Sequence, residues 1–240
     1  MNHFNATISF VVSCEHGGNH IPSVYRHLFQ GCESVLKSHR GYDCGALLMA
    51  KALSKHLNAP LFSATTSRLL VDLNRSIGHP QLFSEFTRNL PPAAKHEILT
   101  MYYQPYRNRV EAAIANAIQC GNQVIHLSSH SFTPQLDGVV RMADIGLLYD
   151  PSKTMEKLLC WKWQQSLKEA LPQLAIRRNY PYTGTADGFT RYLRRRFSMD
   201  QYAGIELEIN QNYFCDNRAK WRKLCDVIVE TCAGLFYYKD

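Results

Sequence analysis

Ile8-Ser9-Phe10-Val11-Val12-Ser13, with Glu15-His16-Gly17-Gly18-Asn19-His20 almost directly behind it, decides the fold class. The first six residues are an apolar run rich in β-branched side chains, bounded by polar residues and glycine. Such a run reads as a buried strand. The loop after it carries two imidazoles and two glycines. The pattern recurs three times. Asp72-Leu73-Asn74-Arg75, Ser129-His130-Ser131 and Glu206-Leu207-Glu208-Ile209-Asn210 each follow, or end, a strand-like stretch. In open α/β sheets ligands bind at the carboxyl ends of strands, so these segments are expected to meet in one cleft.

Outward from the first strand, the chain alternates. Asp43 reads as the cap of a helix running to about His56, with Ala46, Leu47, Ala50 and Leu53 on one face. Pro60–Thr65 reads as a strand, Gly78–Pro92 as an excursion, and Pro91-Pro92 as a helix opening. That helix is expected to reach Gln119, with a break near Pro105. Further strands are expected over Gln123–Ser128, Asp144–Tyr149 and Gly204–Ile209. Ser152 reads as the cap of a helix to about Ala170, Asn179–Asp187 as a mobile loop, and Asp216–Tyr238 as a closing helix. Alternating strands and helices predict a three-layer α/β/α sandwich with a largely parallel, mixed sheet, in one domain over 1–240.

With 45% hydrophobic residues, the chain has enough apolar matter for a buried core, which excludes disordered and fibrous classes. The first residues, Met1–Thr7, lack a basic n-region, and no apolar stretch approaches the roughly 20 residues of a membrane span. The eight cysteines show no CxxC spacing and read as reduced thiols of a cytoplasmic protein. Cys14 beside His16 is weighed as a nucleophile and set below the core reading. The net charge of +7, concentrated between Arg177 and Arg196, would suit either nucleic acid or small anions. No stacking signature or binding motif accompanies the patch, so a nucleic-acid module ranks last.

Each chemical segment has a bland reading beside the sharp one. A lone histidine is commonly structural, but His16 lies just past a strand in a glycine loop and reads as a metal ligand. His20, four residues on, is a neighbour, because Gly17-Gly18 and Pro22 argue against a helix. His126 reads as buried in the sheet. His130, placed past the strand end, reads as the second ligand, and neutral imidazole suits zinc. In Asp72–Arg75, a guanidinium beside an amide suits a carboxylate, with Arg68 a second candidate and a surface turn the alternative. Glu206 and Glu208 share one strand face. Glu208, nearer the strand's end, is the expected general base, and Glu206 is expected to pair with a basic residue. Arg191, Arg194, Arg195 and Arg196 read as a solvated helix face, some of them at the mouth of an anion site.

The chain resembles the N-formylglutamate amidohydrolase family, in its uncharacterised branch. The matching stretches are His16–Pro22, Ser67–Arg75, His130-Ser131, Asp144–Tyr149, Gly188–Arg191 and Leu207–Gln211. The resemblance implies a fold similar to zinc carboxypeptidases and aspartoacylases, and a site ordered as a His-x-x-Glu pair, an Asn-Arg clamp, a second His and a catalytic Glu. Here that order falls on His16, Asn74-Arg75, His130 and Glu208. The position three after His16 is Asn19, a neutral donor, with Glu15 as a possible substitute. The implied activity is metal-assisted hydrolysis of an N-formyl or N-acyl amino acid, with Zn2+ as cofactor and a small carboxylate-bearing substrate as partner. Arg68 and Arg191 are further candidates to hold that substrate. A metal-poor carboxylate-binding homologue is the alternative that Asn19 suggests.

Overall fold

The computed structural model describes residues 7–216 and 218–237. The opening residues 1–6 and Tyr238, the expected end of the last helix, lie outside the described residues. In chain order the elements are β1 (Ile8–Cys14), a 3-10 segment (Ser23–Phe29), α1 (Glu33–Leu36), α2 (Ala46–His56) and β2 (Leu61–Ser63). Then come α3 (Pro92–Ile98), a π-helical segment (Leu99–Tyr103), α4 (Gln104–Gln119), β3 (Gln123–Phe132), β4 (Gln135–Leu136) and β5 (Val139–Val140). The last are β6 (Ile145–Leu148), α5 (Thr154–Ala170), β7 (Ile176–Arg178), α6 (Phe189–Arg196), β8 (Tyr202–Asn210), α7 (Asn212–Asp216) and α8 (Arg218–Tyr237).

Six strands form one sheet in the order β2-β1-β3-β8-β6-β7. The first four run parallel, β6 is antiparallel to β8, and β7 is parallel to β6. The mixed α/β sheet with helices on both faces agrees with the expected class. β4 and β5 make a separate hairpin. Alternate residues of a strand face opposite ways, and the two faces bury different things. On one, Val12, Leu127, Ile205, Leu207 and Ile209 pack with Met49, Leu53, Trp163 and Ile228 of α2, α5 and α8. On the other, Val11, Val124 and Tyr202 pack with Val110, Ile114, Phe189 and Leu193 of α4 and α6. Further along that second face β3 presents His126, Ser128 and His130, and β8 presents Glu206 and Glu208.

Several expected boundaries move. β3 continues to Phe132, so His130 lies inside the strand rather than past it, paired directly with Glu208. Ser67–Val71 is not a strand. It turns, with the Leu70 N–H on the Ser67 carbonyl, and buries Leu69, Leu70 and Val71 in the second face's core. The long helix breaks just before Pro105, as a π-helical turn that joins α3 to α4. Asp43 does not cap α2: Gly45, in the left-handed region at φ 86°, holds that position. Lys153, not Ser152, precedes α5, while Ser152 bonds Asp150. A short α7 stands before α8, and β7 and the β4–β5 hairpin were not anticipated. Cys14, Cys32, Cys44, Cys120, Cys160, Cys225 and Cys232 are reduced and not joined in disulfides.

Candidate metal centre

His16 owes its position to two close backbone approaches. A Cβ on Gly17 would lie 2.9 Å from the Ala64 carbonyl oxygen, and one on Gly18 would lie 2.7 Å from that of Thr65. Only glycine lets the loop run so near the strand beside it. Hydrogen bonds from Gly17 N to Ala64 O (3.0 Å) and from His20 N to Thr65 O (2.9 Å) hold it there. His16 is thereby turned inward and buried.

Its imidazole sits 5.1 Å, centroid to centroid, from that of His130. Asp43 lies between them. His130 Nδ1 is 2.8 Å from Asp43 Oδ2, and His16 Nδ1 is 3.4 Å from the same oxygen. The three donor atoms are mutually within 4.8 Å. The far nitrogen of each ring also meets a carboxylate. His16 Nε2 donates to Asp72 Oδ1 at 2.7 Å. His130 Nε2 lies 3.0 Å from Ser128 Oγ and 3.2 Å from Glu15 Oε2, while Ser128 donates to that Glu15 oxygen at 2.7 Å. Arg68 closes the group with NH1 on Asp43 (3.2 Å) and NH2 on Asp72 (2.9 Å).

This donor set fits a divalent cation. Carboxylates on both Nε2 atoms fix the tautomer that leaves each Nδ1 lone pair facing Asp43, which is how ligand histidines are usually held. Tetrahedral zinc with ligands at roughly 2.0–2.1 Å would set its donors about 3.3 Å apart; the two spacings to Asp43, 2.8 and 3.4 Å, bracket roughly that value. Without a cation, both nitrogens of His130 face carboxylates, which favours the charged imidazolium. Burial works against that charge, but Asp43 and Glu15 outweigh it and hold the imidazole well above its usual range. Again against burial, His130 and Ser128 hold Glu15, His16 and His130 hold Asp43, and Arg68 and His16 hold Asp72 below the usual carboxylate range.

Across from His130, Glu208 is buried, and its Oε2 has no hydrogen-bond partner among the described residues. Burial, with Asp43 and Glu206 adding to it, pushes its carboxyl up to about 8. The cavity these groups share, of about 130 Å³, is also lined by Arg68, Asn74, Arg75 and Glu206, and by Tyr182, Thr183, Ala186 and Asp187 of the loop before α6. Asn74 is anchored through its own carbonyl, which accepts from Phe189 N at 2.6 Å. Its amide NH2 therefore remains for a ligand. Arg75 NH1 donates to the Asp187 carbonyl at 2.8 Å.

A family model described as N-formylglutamate amidohydrolase matches residues 8–215. The chain belongs to the N-formylglutamate amidohydrolase family. It is accordingly a hydrolase of amide bonds. A solved gene product of Agrobacterium tumefaciens is 28% identical, with a TM-score of 0.82, over 97% of this chain and 92% of that one. An N-formylglutamate amidohydrolase from Ralstonia eutropha JMP134 shares the fold at 18% identity and a TM-score of 0.70, over 97% and 94%. No curated protein matches the chain.

Set against what resemblance to the family implied, the structure gathers His16, His130, Asn74, Arg75, Arg68 and Glu208 around one cavity. It does not bring Asn19 there. Asn19 lines a different hollow with His20, Arg26 and Glu33, because the glycine turn carries it away, and Asp43 stands between the imidazoles instead. Arg191 is half-buried on α6 and does not line the cavity. Among the described residues, Glu206 has no basic partner within ion-pair distance. It accepts from Thr190, while Arg194 pairs with the buried Glu156 at 2.8 Å. His126 is buried between Tyr202 and Ser13, and burial pulls its imidazole down to about 4. The Cys14 thiol is pushed well up, by burial first and then by Glu15, so it is a poor nucleophile. Sequence reasoning missed Asp43 and Asp72 as partners of the histidines. Asp72 stood inside a quoted motif, but only folding pairs it with His16.

Proposed function

We propose that the chain is a metal-dependent amidohydrolase that cleaves the amide of an N-formyl or N-acyl amino acid, such as N-formyl-L-glutamate, in the cytoplasm. The products are the free amino acid and formate or another acid. The observation that carries this reading is the pair of imidazoles, each backed by a carboxylate and turned onto Asp43, with the orphaned oxygen of Glu208 across from them.

His16, Asp43 and His130 would hold the cation, zinc by the mixed nitrogen and oxygen character of the set. A cation there supplies Lewis acidity, polarising the amide carbonyl and acidifying a water. The chain's own residues do the rest. Asn74, through its free NH2, and Arg75 bind the substrate carboxylate and so fix the scissile amide in the cavity. Glu208 accepts a proton from the attacking water as its oxygen bonds to the acyl carbon. It returns the proton to the amide nitrogen as the C–N bond breaks. A carboxyl lifted into the neutral range is suited to both transfers. Arg68 holds Asp43 and Asp72 in place. The metal-poor alternative loses its motive, since it rested on Asn19, which is not at the cluster.

The test is a screen of N-formyl and N-acetyl amino acids against zinc-loaded protein, read as released amine. Zinc-dependent release from an acid, and not from its carboxamide, is expected. Turnover that is unaffected by chelation would refute the metal reading.

A further inference from the structure

Asn74 is held from the side away from the cavity by a device that the chemistry above does not use. Tyr103 and Arg107 stand four residues apart, one face of the helix where the π-helical segment passes into α4. Tyr103 OH donates to the Arg75 carbonyl at 2.7 Å, and Arg107 NH1 donates to the Leu73 carbonyl at 3.0 Å. The main chain is thus gripped on both sides of Asn74, whose side chain is gripped by Phe189 N. The guanidinium of Arg107 lies over three rings, Phe189 at 4.2 Å, Tyr192 at 4.6 Å and Tyr103 at 4.9 Å. It is buried, and no carboxylate among the described residues forms an ion pair with it. A buried cation without a counter-ion is costly. The rings and the carbonyl offset part of that cost, and Glu15 and Asp187 add to this at longer range; outside any close ion pair, the charge still acts on an anion bound in front of Asn74.

We propose that Arg107, with Tyr103, is a positioning residue for the carboxylate clamp: it fixes the Leu73–Arg75 backbone and adds a positive charge behind it that no close ion pair consumes. This rests on the reading of Asn74 and Arg75 as the carboxylate clamp. A purely structural arginine would affect all substrates alike, whereas this one acts on the substrate's charge.

The experiment compares Arg107→Gln and Tyr103→Phe with wild type, all zinc-loaded, on an N-formyl amino acid and its carboxamide, with melting temperature measured alongside. For the acid, KM should rise about tenfold or more in Arg107→Gln, as misplacement of a binding group would cause, and less in Tyr103→Phe. Turnover number and carboxamide kinetics should move far less, so acid-over-amide selectivity falls. An unchanged acid KM in folded Arg107→Gln overturns the proposal, and so does an equal loss on acid and carboxamide. Should Arg107→Gln not fold, Tyr103→Phe decides by the same criteria, since it deletes one hydroxyl and keeps the ring. A wild-type enzyme without preference for the acid overturns the clamp and this inference together. A wild-type preference that survives both substitutions overturns this inference alone.

Discussion

The two faces of the central sheet bury the same strands against different partners. Behind β8, the face covered by α2, α5 and α8 is apolar from Ala203 to Ile209, and behind β3 it is apolar at Ile125 and Leu127 and then carries only two uncharged serines, Ser129 and Ser131, bonded to the carbonyls of Ala46 and Cys44. The face covered by α4 and α6 begins the same way, at Val124 and Tyr202, and then changes to His126, Ser128, His130, Glu206 and Glu208. Those groups are almost fully buried too. Burying charge is unfavourable unless it is paired. Along this face His16, His130, Glu15, Asp43 and Asp72 are paired, Glu206 accepts from Thr190, and among the described residues the Glu208 Oε2 is left with no hydrogen-bond partner. The difference separates residues that keep the chain folded from residues kept for chemistry, and the two classes should fail in different ways.

The largest expected effect breaks the polar face without touching the apolar one. Glu208→Gln keeps the shape and removes the base. It should cut turnover ~10²–10⁴-fold, the range typical of acid–base catalysis, with metal content and melting temperature nearly unchanged. Steady-state kinetics and elemental analysis check this. Loss of folding instead of turnover would mean that the polar face is structural. On the apolar face the outcome should invert. Trp163, buried in the core, should cost about 3–5 kcal/mol of stability when cut to alanine. The specific activity of the fraction that stays folded should hold. Denaturant melts read alongside activity make the test.

The apolar face was the more legible of the two. Its β-branched and aliphatic runs mark strands by composition, and Ile205, Leu207 and Ile209 give the period directly. The polar end of β3 beyond Ser128 was not legible as strand: Ser129–Ser131 has the composition of a loop, and only the ladder with β8, running to Asn210, makes it extended. Glu208 and the histidines were readable because they sit at strand ends. Asp43 was not, since an aspartate ahead of a helix is ordinarily a cap, and its distance of 27 residues from His16 and 87 from His130 hides the contact. Arg194 was misread with its neighbours as solvated, because a run of arginines gives no sign of the buried Glu156 that receives one of them.

A smaller effect sharpens the comparison within the polar face. Asp72 backs His16 through Nε2. Asp72→Asn should weaken zinc binding about 10–100-fold, as loss of an outer carboxylate does, measured by competition with a chelator. Unchanged affinity would mean that the carboxylate does not orient the ring.

The smallest effect is the pH dependence of the metal-free protein. Glu208 is lifted from an ordinary 4.5 to about 8, so the folded state binds its proton more tightly than the unfolded state. That contribution is full below about 4.5 and is lost as pH rises through about 8. His130, also raised, acts with the same sign. Glu208→Gln should therefore melt with a shallower decline across this window than wild type. Parallel melting curves would show that Glu208 is already ionised in the fold.

Which side chains hold the cation is the centre of the account, and zinc stoichiometry in two variants tests it most directly. Asp43→Asn and Asn19→Ala are dialysed with wild type against the same dilute zinc buffer and measured by elemental analysis. Zinc should be retained at one per chain in wild type and Asn19→Ala, and largely lost from folded Asp43→Asn. Retention in Asp43→Asn with loss in Asn19→Ala would contradict the assignment of the site.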